Sequence, residues 1–118
     1  MPDTSELSII QHTYDLIRWY IPILNRMPLD YKLTLGRRIM DGLYNLLENL
    51  IRNKYQSNRP IKLSSLEQLN SDLEIIRHQT RLAHQFELLS TKRYEYVILA
   101  LNEIGKELGG WIKSLERG

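Results

Sequence analysis

Cysteine does not occur among the 118 residues of the chain. Disulfides, thiolate zinc sites and a cysteine nucleophile are therefore excluded. Glycine and proline are scarce, at six and four, and only Pro22 falls inside a periodic apolar segment. An all-helical chain fits that better than a many-stranded one. Long apolar runs are missing too. Trp19 to Leu24 and Tyr96 to Leu101 are the longest without charge, far short of a membrane span. The start, Met1-Pro2-Asp3-Thr4-Ser5-Glu6, is acidic and polar, with neither the basic leader nor the apolar stretch of a signal peptide. A cytoplasmic location without membrane contact is the expectation. Hydrophobic residues make up 42% and charged residues 25%, which is ordinary for a folded protein and too apolar for disorder. Residues 1–118 are expected to form one domain.

Apolar spacing marks four helices. The first runs from about Thr4 to Arg26, with Leu7, Ile10, Tyr14, Ile17, Ile21 and Leu24 on one face. Asp3 and Glu6 have the offset of a capping box. The second runs from about Lys32 to Tyr55 on Ile39, Leu43, Leu46 and Leu50. Gln56-Ser57-Asn58-Arg59-Pro60 breaks it. The third runs from about Leu63 to Glu87, with Leu66, Leu69, Leu73, Ile76, Thr80 and Ala83 in the same alternation. Ser90 would cap the fourth, from about Thr91 to Leu115, whose stripe runs from Tyr94 through Val97, Leu101, Ile104, Leu108 and Trp111 to Leu115. Helices of similar length on short connections predict an up-down-up-down four-helix bundle.

More apolar residues are present than one stripe per helix needs. The first helix adds Ile9, Leu16, Trp19, Tyr20 and Ile23, the second Met40, Tyr44, Leu47 and Ile51, and the fourth Tyr96, Ile98, Leu99 and Ile112. Either these widen the core-facing arc or they meet another subunit. Homo-oligomerisation is the expectation for helices one and four. Gly105, Gly109 and Gly110 lie in the fourth helix, where each costs roughly 1 kcal/mol against alanine. Close approach by a neighbouring helix would offset that; a cap near Leu108 is the alternative.

Catalytic constellations are poor. No Glu has a His three residues later, as a di-metal bundle requires. Glu74 and His78, four apart, are half a metal site at best and more simply a surface contact. His12 reads as a surface histidine. No phosphate loop or nucleophile elbow occurs. No cofactor and no metal are expected. Arg77 and His84 lie two turns apart on one face, a spacing that resembles the Arg-x(4–6)-His motif of HEPN-type ribonucleases. That pattern is short and degenerate.

Charge is distributed more informatively. Net charge is only +2, from 16 basic and 14 acidic residues. In an up-down bundle residues 22–44 and 75–97 share one pole. That pole holds Arg26, Lys32, Arg37, Arg38, Arg77, Arg81, Lys92 and Arg93 against Asp30, Asp41, Glu87 and Glu95, a net of +4. Eight basic and ten acidic residues elsewhere leave the rest at −2. Six of the eight cations are arginine, whose fork suits phosphate. These eight are the candidate nucleic-acid-binding residues. A mixed solvated surface with incidental bias is the alternative.

Several stretches point to a family. Thr34-Leu35-Gly36-Arg37-Arg38-Ile39 opens helix two, and Arg77-x-x-x-Arg81-Leu82-Ala83-His84 lies near the end of helix three. Arg93-Tyr94-Glu95 starts helix four, and Asn102-Glu103-Ile104-Gly105-x-x-x-Gly109-Gly110-Trp111-Ile112-Lys113 ends it. With Tyr14-x-x-x-x-Trp19 and the Met27-Pro28 turn, they resemble the Avd family, the accessory variability determinants of diversity-generating retroelements. One departure is Met27, where an aromatic is expected before the proline. The resemblance spans nearly the whole chain. It implies a homopentameric barrel of four-helix bundles with a basic surface. It further implies a non-enzymatic protein that binds the element's reverse transcriptase and nucleic acid, template RNA or DNA, in support of mutagenic cDNA synthesis. Two other functions compete. One is a structural or interaction bundle of the type encoded by intervening sequences in ribosomal RNA genes. The other is a ribonuclease using Arg77 and His84.

Overall fold

A computed structural model describes residues 4–118, with side chains from Ser8 onward. Asp3 lies outside the described residues, and so do the side chains of Glu6, its capping-box partner, and of Leu7. Every element among the described residues is helical. Helix α1 is Thr4–Leu24. Helix α2 spans residues 29–55 in three continuous pieces: an α turn Leu29–Tyr31, a π segment Lys32–Gly36, and an α segment Arg37–Tyr55. Helix α3 is Arg59–Gln85 and α4 is Thr91–Arg117.

The helix ends follow local chemistry. Proline lacks the N–H that a first turn would leave unpaired, so it is tolerated there. Helix α2 therefore starts directly after Pro28, three residues before the expected Lys32; the Pro28 carbonyl accepts from the Tyr31 and Lys32 N–H groups at 3.0 and 2.8 Å. Likewise α3 starts at Arg59 rather than near Leu63. Pro60 sits in its first turn instead of ending a connection, and Asn58 Oδ1 accepts from the Ile61 N–H at 3.0 Å. Ser90 caps α4 as expected, its Oγ accepting from the Arg93 N–H at 3.2 Å. No glycine has a positive φ, so Gly109 and Gly110 continue the helix and do not cap it.

Each helix packs against its sequence neighbours, and α1 closes the ring on α4, in a bundle of 46 × 23 × 20 Å. At one pole the 24–29 and 85–91 turns meet, and the Tyr31 and Phe86 rings lie 5.5 Å apart. At the other, His12 Nδ1 donates to Glu107 Oε2 at 2.8 Å, Asn53 donates to Ser65 at 2.9 Å, and Arg59 donates to the Leu115 carbonyl.

The predicted stripes of α2 and α3 are buried, and that of α4 is buried from Val97 to Trp111. That of α1 is not. Tyr14 is exposed and Ile10 and Ile21 are half-buried, while the core takes Ile9, Thr13, Leu16, Ile17, Tyr20 and Leu24. The face read as surplus is mostly the core face. Thr13 hides it, because its hydroxyl donates to the Ile9 carbonyl at 2.8 Å and leaves a methyl for packing.

One buried polar contact crosses the core. The hydroxyls of Tyr20 and Thr80, both fully buried, share a hydrogen bond of 3.0 Å. Burial pushes the Tyr20 phenol up to about 12, with the Thr80 bond a smaller opposing effect. The folded pKa is above the ordinary 10.0, so this group's contribution is complete below pH 10 and is lost as pH rises towards 12. Tyr20→Phe should cost about 1 kcal/mol at neutral pH by leaving the Thr80 hydroxyl unpaired. It should also show a shallower loss of stability above pH 10 than the wild type. Denaturant unfolding across that range checks both.

Candidate nucleic-acid interface

The basic pole is built from helix ends. Arg26 lies in the turn after α1, and Lys32 is half-buried in the π segment of α2. Arg37 and Arg38 open the following α segment, Arg81 precedes the end of α3 by one turn, and Lys92 and Arg93 occupy the first turn of α4. All but Lys32 are exposed. Among the described residues none of these seven makes an ion pair or a side-chain hydrogen bond, even with Asp30, Asp41, Glu87 or Glu95 on the same pole. The donors of the six exposed ones face water and are open to a ligand.

Arg77, the eighth candidate, is different. Its side chain is only 26% exposed. Nε donates to Asn102 Oδ1 at 3.1 Å, Nη1 to Glu74 Oε2 at 3.0 Å, and Nη2 to the Leu101 carbonyl at 3.4 Å. The guanidinium crosses α4 above Gly105, where an added Cβ would stand 2.6 Å from Nη2. Gly105 is thus overhung by the movable end of an arginine from the neighbouring helix, which a side chain here would have to push aside. Gly109 and Gly110 are not: an added Cβ at either meets nothing within 4 Å, against the expected close approach inside the bundle.

His84 is also engaged. Its Nδ1–H donates to the Leu89 carbonyl at 3.1 Å, and its ring stacks on Tyr94 at 4.6 Å and 8°. Together these hold the connection from α3 to α4. Glu74 and His78 meet, with Nδ1 3.4 Å from Oε1, but the other Glu74 oxygen is held by Arg77. His12, on the surface as read, bridges to Glu107. No described helix is long and apolar enough to cross a membrane.

Five exposed apolar side chains at the pole escaped the reading of the sequence: Leu29, Tyr31, Leu33, Leu82 and Phe86. They lie at or near connections, where no periodicity marks them.

Arg77→Ala should destabilise the bundle by about 1 kcal/mol, because Asn102 and Glu74 lose their charged partner and, being exposed, exchange it for water. Arg81→Ala, at an exposed position without partners, should stay within about 0.5 kcal/mol of the wild type. Urea midpoints of the two variants check the difference.

No curated protein matches the chain. The bAvd-like family model matches residues 7–115, which take in all four helices, the basic pole and the Gly-Gly-Trp end of α4. On that match, which agrees with the resemblance read from the motifs, the chain belongs to the bAvd-like family.

Proposed function

We propose that this chain is a non-enzymatic accessory protein of a diversity-generating retroelement. It binds nucleic acid, template RNA and its cDNA, at the basic pole, and it binds the element's reverse transcriptase, supporting mutagenic cDNA synthesis in the cytoplasm. The observation that carries this reading is the set of Arg26, Lys32, Arg37, Arg38, Arg81, Lys92 and Arg93, gathered at one pole without described ionic partners. Unpaired surface cations of one sign raise the local concentration of phosphate and bind it without reading bases. Family membership supplies the retroelement context, and co-purification with a reverse transcriptase encoded beside the gene tests the protein partner. Arg77 and His84, the pair a ribonuclease would need, are engaged in holding helices together.

Self-association is the second part of the proposal. Tyr14, Tyr96 and Leu99, the last 69% exposed, lie on α1 and α4, and Tyr44, Ile51 and Ile75 on α2 and α3. Apolar surface on both sides of a small bundle suits a ring of identical subunits. A pentamer is the number that the family resemblance implies, and a ring would multiply the field of the basic pole.

Arg81→Ala with Arg93→Ala should weaken RNA binding and lower the slope of log affinity against log salt by about 1.4–1.8, since each lost phosphate contact removes roughly 0.7–0.9. Lys54→Ala with Lys113→Ala, at the opposite pole, should change neither; equal effects from both pairs would show that the basic pole is not the site. Light scattering at micromolar concentration should give a multiple of the 14.0 kDa chain, and a monomer would rule out the ring.

A further inference from the structure

The basic pole exposes rings as well as cations. Phe86 is 49% exposed and Tyr31 is 38% exposed, with their centroids 5.5 Å apart and their planes tilted by 37°. Both are held by backbone geometry. Tyr31 stands in the opening turn of α2, its N–H bonded to the Pro28 carbonyl. Phe86 ends α3 in a closed turn, where the Glu87 N–H donates to the His84 carbonyl and the Leu88 N–H to the Ala83 carbonyl, at 2.9 and 2.8 Å. Glu87 completes that turn at φ 62°, a left-handed conformation that a residue other than glycine holds at a cost of order 1 kcal/mol. The turn folds Leu88 back onto the core and leaves Phe86 outside.

We propose that Tyr31 and Phe86 form a stacking platform that makes the basic pole a site for single-stranded nucleic acid in preference to duplex. This rests on reading the pole as a nucleic-acid site. A duplex keeps its base faces stacked inside and offers the outside world phosphate and sugar, against which bare aromatic rings gain little. A single strand offers π-faces and phosphates together, and each base stacked on an aromatic side chain contributes roughly one to two orders of magnitude in affinity. Charge argues against a second copy docked through the same pole, because it would set unpaired arginines against unpaired arginines. A neutral protein partner would bury those arginines without supplying acceptors. A nucleic-acid strand satisfies both the rings and the cations.

Phe86→Leu and Tyr31→Leu keep apolar bulk while removing the ring. Binding of a labelled uridine oligonucleotide and of a duplex RNA of equal length is measured for each variant and the wild type. Each substitution should weaken single-strand binding about ten-fold and leave duplex binding and the salt slope unchanged, because no phosphate contact is lost. Phe86→Trp should retain binding, with a new indole fluorescence that the oligonucleotide quenches and the duplex does not. Duplex binding as tight as single-strand binding, or leucine variants that bind the oligonucleotide like the wild type, overturns the platform and leaves the basic pole standing. A wild type that binds neither RNA overturns both. Leucine variants that change the mass by light scattering overturn the platform in favour of a subunit contact.

Discussion

A four-helix bundle has one interior, and each helix can give it only one face. That constraint governs the rest of this molecule, because the chain carries more apolar side chains than one interior holds. Ile9, Tyr20, Ile39, Leu66 and Trp111 are almost fully enclosed, with neighbours at three- and four-residue intervals that leave no room for others. What does not fit is displayed: tyrosines and leucines on the flanks, and a phenylalanine beside a tyrosine at one end. The flanks and that end are therefore chemically distinct surfaces, apolar along the sides and cationic with rings at the pole. The proposed self-association and the proposed strand binding would therefore use different residues.

Arg77 separates structure from function within the basic set. Charge counting treats it like Arg81, one turn further on. Helix α4 distinguishes them. Asn102 supplies an oxygen and Gly105 a bare Cα on the face that meets Arg77, so the guanidinium lies down across the interface. Arg81 meets nothing comparable and stays in water. The interhelical contact and the proposed ligand-binding cation use the same chemical group, and what the neighbouring helix offers, Asn102 and Gly105 in the case of Arg77, distinguishes the two arginines.

Much of this was legible in the sequence. The stripes of α2 and α3, most of the stripe of α4, and the Ser90 cap follow from spacing and residue type, because those helices have one dominant apolar face. Helix α1 misled because apolar residues surround it. Its core position Thr13 looks polar until the hydroxyl is seen turned back onto the Ile9 carbonyl. Spacing places the start of α3 late because Pro60 follows a run of turn formers, although proline in a first turn costs nothing. The cations of the pole were legible as a list and not as a surface. Glu74 could be paired with Arg77 by spacing along one helix, but Asn102 and Gly105 lie on another, and linear periodicity holds no information about that. Tyr31 and Phe86 were illegible for a related reason. Each is at a helix end, where periodicity stops.

The π segment Lys32–Gly36 has a consequence for how the pole is aimed. The Arg37 N–H bonds to the Lys32 carbonyl, five residues back, so one residue more than an α turn is accommodated. In an α-helix each residue turns the chain by about 100°. The extra residue therefore sets Tyr31 and Leu33 out of phase with Ile39, Leu43, Leu46 and Leu50, as a phase shifter between two gears. A side chain at Gly36 would meet Met27 Sδ and the Tyr31 carbonyl at 3.4 Å, an ordinary contact distance. A chain one residue shorter here would keep its core and its charges yet rotate the opening of α2 by roughly a quarter turn, carrying Tyr31 away from Phe86. The pole's geometry is thus tuned by residue count as well as by residue type, and length variation within this short segment is a route by which related chains could re-aim the same surface.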